Sequence, residues 1–215
     1  MIIVSRTRRV IIVRTSVPRI IDYSIVLERL TAQGLVSLYH NSGAFGFPRD
    51  VKVHHVGWIG ADDSTLHPAA RDVAIRIPPP YEPNLARLLV SFWREQLADA
   101  FAWLMPMSHW FYELDFGGAT WMPQMLRDIG IDPEELRPRN NGAAIEHSRD
   151  ESPQLETCVR RLLGSLTMSD FAVVFPRRPV VCTLHHHKQL WWATSDPILA
   201  KALRIVPSPG IPGEG

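Results

Sequence analysis

The chain has 215 residues, 46% hydrophobic and 21% charged, with a net charge of +1. That balance suits one globular domain with a sizeable core and argues against a general nucleic-acid binder or a long acidic tail. No run approaches the ~20 apolar residues of a membrane span, and the two cysteines, Cys158 and Cys182, form no Cys-x-x-Cys pair; the expectation is a soluble cytoplasmic protein with buried free thiols.

Arg6, Arg8, Arg9, Arg14 and Arg19 precede the first acid, Asp22, and break up the apolar runs, so no secretory core is expected there. Residues 1–20 read as a basic strand or flexible arm. A single α+β domain is expected over 21–205, and 206–215, rich in proline and glycine, as a disordered tail.

Ile25, Val26 and Leu30 recur at helical spacing, and Gly34 stands where a C-cap would, predicting a helix there. A strand is expected over 35–39. The segment His40, Asn41, Ser42, Gly43 and on to Pro48 is too rich in glycine and small polar residues to continue it. It lacks the lysine of a phosphate-binding loop, yet functional loops occupy such places, so His40, Asn41 and Ser42 are ligand-contact candidates.

Residues 51–59 alternate as a strand with Val51, Val53 and His55 on one side. A polar turn at Asp62, Asp63 and Ser64, a strand over 72–77 and an extended polyproline connector at Pro78, Pro79 and Pro80 follow. Leu85, Leu88, Leu89, Phe92 and Trp93 define the clearest helix, over 83–97, with a stripe wide enough to lie on a sheet.

Residues 101–105 and 108–116 read as strands of aromatic character, ended by Gly117 and Gly118. Further helices are expected over 120–126 and 131–136, then an exposed loop over 137–153 with a short strand near 143–146, then a helix over 154–166. Residues 171–175 form a strand feeding a hairpin over 180–193, with Val180, Cys182 and Leu184 on the core face and either Trp191 or Trp192 buried. Asp196 and Pro197 are a cap and first position for a last helix.

Elements alternate irregularly and include hairpins. The predicted fold class is therefore α+β: a mainly antiparallel or mixed β-sheet covered by three to five helices.

Two polar groups carry candidate chemistry. Residues two apart on a strand share a face, so His185 and His187 are candidate ligands for a divalent metal such as zinc, with further ligands from elsewhere. By the same rule His109, Glu113 and Asp115 would share one wall of a strand and supply an imidazole and two carboxylates for general acid and base work.

No Gly-x-Ser-x-Gly elbow and no Gly-x-Gly-x-x-Gly fingerprint is present, which disfavours a serine hydrolase and a dinucleotide cofactor; no cofactor other than a metal is expected. Seven tryptophans near arginines could stack on bases, but the net charge supplies no footprint for nucleic acid. The leading expectation is a binding or interaction module without catalysis. It would contact a small molecule or protein, or a second copy of itself, through His40, Asn41, Ser42, Trp191 and Trp192. The alternative is a hydrolase, metal-assisted or relying on the His and carboxylate groups.

Overall fold

Alternation along the strands sorts their side chains onto two faces, and the two faces are covered unequally. The computed structural model describes residues 17–60 and 73–205. The basic segment before residue 17, the polar turn at 62–64 and the tail after 205 lie outside the described residues.

Eight strands build one sheet in the order β1 (Arg19–Ile21), β7 (Ala144–His147), β6 (Ala102–Pro106), β8 (Phe171–Val174), β9 (Val180–His185), β10 (Gln189–Thr194), β4 (His54–Ile59), β5 (Ala74–Arg76). Neighbours pair antiparallel except β4 and β5, which are parallel, so the sheet is mixed. A two-stranded ribbon joins β2 (Val36–Ser37) to β3 (Phe45–Gly46).

Seven α-helices are present among the described residues, more than the three to five expected. They are α1 (Tyr23–Ala32), α2 (Tyr81–Gln96), α3 (Trp110–Tyr112), α4 (Met122–Asp128), α5 (Pro133–Leu136), α6 (Ser152–Ser165) and α7 (Pro197–Arg204). The surplus comes from short pieces, α3 and α5, which carry too few residues to show a helical stripe.

On one face Val56, Trp58, Leu104, Val173, Cys182, Leu184 and Trp192 pack under α2, α4, α6 and α7 in the larger core. Trp58, Phe92 and Trp192 meet there with ring centroids 5.0–6.1 Å apart. The other face presents Trp103, Met105, Ala172, Val174 and Val181, which α1, Leu35 and Phe45 cover over β6, β7 and β8. Over β9, β10 and β4 that face stays partly open.

Local signals act as their chemistry requires. Gly34 takes φ +88° just past α1, and Gly130 takes φ +85° past α4, conformations that glycine adopts without a Cβ penalty. Asp196 accepts from the amides of Ile198 and Leu199 at 2.7 and 3.3 Å and starts α7. The proline connector contains a cis peptide at Pro79-Pro80.

The strand expected over 108–116 is overturned. Those residues form α3 and a π-helical turn over Glu113–Gly117. Period two and period four coincide here: Trp110 and Leu114, four apart, are both buried, while Phe111 and Phe116 face out. The sheet also has no vacancy beside β6, because β7 and β8 occupy both of its edges. In the 137–153 stretch the short strand expected near 143–146 is present as β7, but it is wholly buried, and Ser148 and Glu151 form a capping box ahead of α6, so the stretch is less exposed than expected.

Candidate functional site

The open part of the sheet face is a groove of about 590 Å³. Its floor is Val181, Thr183, Trp191, Ala193 and His55; its walls include Phe45, Phe47, Val53 and Met107; Arg49 and Asp170 bring charge to it. The groove exists because β2, β3 and the chain that follows them lie over only part of β9, β10 and β4.

That arch is held from below by backbone. The Gly43 amide donates to the Pro106 carbonyl at 3.1 Å, and the Gly142 amide donates to Asn41 at 2.7 Å. A Cβ on Gly43 would run into Pro106, and one on Gly142 into Gly43, so both glycines are required by close backbone approach. Ser42 is buried, donating its hydroxyl to the Tyr39 carbonyl at 3.1 Å and accepting from the Ala44 amide at 3.3 Å. Asn41 takes φ +55°. These residues shape the arch, whereas the groove itself is lined by residues just after them, from Phe45 onward.

Of the tryptophan pair, Trp192 lies in the helix-covered core and Trp191 lies half-buried in the groove. The register that decides this pairs Trp192 with Cys182 and Trp191 with Thr183. The Trp191 indole donates to Gln189 Oε1 at 2.7 Å and stacks on the His185 ring with centroids 4.0 Å apart.

His185 ends β9 and pairs with Gln189, so His186, His187 and Lys188 form a three-residue hairpin loop. The Lys188 amide donates to the His185 carbonyl at 3.1 Å, and Lys188 takes φ +58°, the left-handed third residue such loops use. Two-residue alternation therefore stops at His185. The turn, not a shared strand face, brings the imidazoles together, and it adds His186 to the pair read from the sequence. Each of the three rings offers one nitrogen, and these nitrogens lie within 4.8 Å of one another.

Asp170, just before β8, reaches this turn. Its Oδ1 accepts from the His186 amide at 3.2 Å and stands 2.9 Å from His186 Nδ1, while Oδ2 is 3.9 Å from His185 Nε2. Asp170 is thus shared between the histidine turn and the groove. Sequence reasoning passed over it as the residue leading into a strand. Its position beside β8, whose neighbour is β9, was the one signal, and strand order is needed to use it.

Glu113 lies behind Asp170 and is fully buried. Ser108 and Ser169 donate their hydroxyls to its two oxygens at 2.5 and 2.8 Å. Burial, reinforced by the nearby Asp170 charge, pushes its carboxyl above the ordinary range, and the serine bonds oppose that. Asp115 turns to an ion pair with Arg137 instead. His109 is half-buried ahead of α3 and accepts from the Glu113 amide through its carbonyl at 3.1 Å. On a helical turn, residues two apart point away from each other, so Glu113 and Asp115 take different partners.

Both cysteines are buried, and burial raises the Cys158 thiol to about 12 and Cys182 well above its usual value, so neither is a nucleophile at neutral pH. No described helix is long and apolar enough to cross a membrane. Compared with protein-family models, curated proteins and solved structures, the chain matches none.

Proposed function

We propose that this protein is a binding module for a small, flat, largely apolar molecule held in the groove over β9, β10 and β4. The observation that carries the reading is a concavity of about 590 Å³ with aromatic and aliphatic walls and few polar groups, Asp170 and Arg49 among them. Small-molecule sites have this size and this ratio of apolar wall to placed polar group. A ring of the ligand would lie against Trp191, and a donor on it would reach the Asp170 carboxylate. A thermal-shift screen with aromatic amines is the test: stabilising compounds should lose their effect on Thr183→Trp, which fills the floor. Stabilisation that survives that substitution, or no stabilising compound at all, removes the reading.

A second reading, a hydrolase, draws on the contact of Asp170 with His186 Nδ1, the way a carboxylate orients a general base. Its test is nitrophenyl-ester cleavage. Rates should fall to background in His186→Ala and Asp170→Asn, and an unchanged rate in either variant excludes it.

A further inference from the structure

We infer that the β9–β10 turn is a site for a first-row divalent metal, zinc in the first instance, with His185, His186 and His187 as ligands and Asp170 as the carboxylate that orients His186. The inference goes beyond the groove reading and does not depend on it.

Three consecutive side chains on a strand would scatter to two faces. Here the strand ends at the first of them, and the three-residue loop turns the next two back toward it, with ring centroids 4.1, 5.0 and 4.3 Å apart. Ligand nitrogens ~2.0–2.1 Å from a tetrahedral ion stand about 3.3 Å from one another. Nitrogens within 4.8 Å stand wider than that, so binding would draw the His187 ring, half-buried on the turn, toward the other two.

The scaffold is fixed on several sides. His185 is buried and stacked on Trp191, the Lys188 ammonium pairs with Glu82 at 2.7 Å, and the Gly60 amide donates to the Lys188 carbonyl at 3.0 Å. The Glu82 carboxylate answers the one ammonium in the loop, which would otherwise oppose a cation. Asp170 occupies Nδ1 of His186 and so directs Nε2 to the ion, the carboxylate–histidine arrangement that metal sites use to set a ring's tautomer and raise its basicity.

Three imidazoles without a thiolate suit zinc, cobalt, nickel or copper, and not calcium or magnesium, which prefer oxygen ligands. Three protein ligands leave a fourth position for water or an added ligand. Because Asp170 and Trp191 belong to both places, the ion would stand at the end of the groove.

The test is calorimetric titration of metal-stripped full-length protein, without a polyhistidine tag, with zinc chloride, and cobalt chloride absorbance as a second readout. Expected are one equivalent of zinc, visible bands of tetrahedral cobalt, and at least tenfold weaker binding in His186→Ala and in His187→Ala. Asp170→Asn should weaken binding about 10- to 100-fold. Circular dichroism of each variant establishes that it is folded; these positions lie on or beside a turn, and His186→Gln serves if the alanine variant is not. Absence of stoichiometric binding overturns the proposal, as does binding indifferent to either histidine. Affinity unchanged in Asp170→Asn also overturns it, because neighbouring imidazoles would then be chelating without a built site.

Discussion

Asp170 and His186, sixteen residues apart, are joined twice: one carboxylate oxygen accepts from the His186 amide at 3.2 Å and stands 2.9 Å from His186 Nδ1. The pair fastens the tip of one hairpin to the start of the neighbouring strand, at the edge of the groove of about 590 Å³ on this face.

Removing that carboxylate should loosen the turn without unfolding the sheet. Both side chains are about a fifth exposed, so the cost expected for Asp170→Ala in urea unfolding is about 1–2 kcal/mol. The His186 amide should exchange with deuterium at least tenfold faster while amides of β9 keep their protection. Unchanged exchange at His186 would mean the contact holds nothing.

The two adjacent tryptophans should behave oppositely. Trp192→Ala opens the larger core and should cost about 3–5 kcal/mol, as large-to-small changes at buried aromatic sites do. Trp191→Ala should cost much less and remove ligand-induced thermal shifts. Chemical denaturation of the two variants side by side checks the assignment, and equal losses would contradict the register that separates them.

His147 is fully buried, and among the described residues neither ring nitrogen has a hydrogen-bond partner. Burial lowers its pKa from 6.5 to about 4, with Glu151 acting weakly in the other direction. Between those values the unfolded chain takes up a proton that the folded one refuses, so this group's contribution to stability is whole above pH 6.5 and falls as the pH drops toward 4. By pH 5 the loss is about 2 kcal/mol, from 1.36 kcal/mol per unit. His147→Leu should flatten the stability profile between pH 7 and 5, measured by urea midpoint at each pH.

Glu113 has the opposite sign. Its folded pKa is raised above the ordinary carboxylate value by burial, so folding is disfavoured progressively as the pH rises from that ordinary value through the folded one. Glu113→Gln keeps a partner for both serine hydroxyls and removes the charge. It should melt at or above the wild-type temperature at pH 8, whereas Glu113→Ala should melt lower at every pH. Gly117 supports this fit, since a Cβ there would stand 2.6 Å from the Glu113 carboxylate. A Glu113→Gln protein less stable than wild type at pH 8 would show that the ionised form is the one the site holds.

Where periodicity was strong, the elements were legible. Leu85, Leu89 and Trp93 predict α2, the alternation of Val180, Cys182 and Leu184 predicts β9, and Asp196 predicts the start of α7. The 108–116 segment misled because its aromatic residues satisfy a strand pattern and a helix pattern equally, and only the occupied edges of β6 decide between them. His186 was missed for the same kind of reason: alternation assigned it to the other face, while the loop after His185 turned it back.

The sequence by itself determined the α+β class, the β9–β10 hairpin, the start of α7 and the buried face of β9, because each depends on side chains close to one another along the chain. It did not determine that Asp170 meets His186, that Glu113 sits behind them between two serines, or that the chain after Asn41 arches over Trp191. Those contacts join segments far apart in sequence, and strand order and register, set by packing across the whole sheet, are what bring them within hydrogen-bond reach.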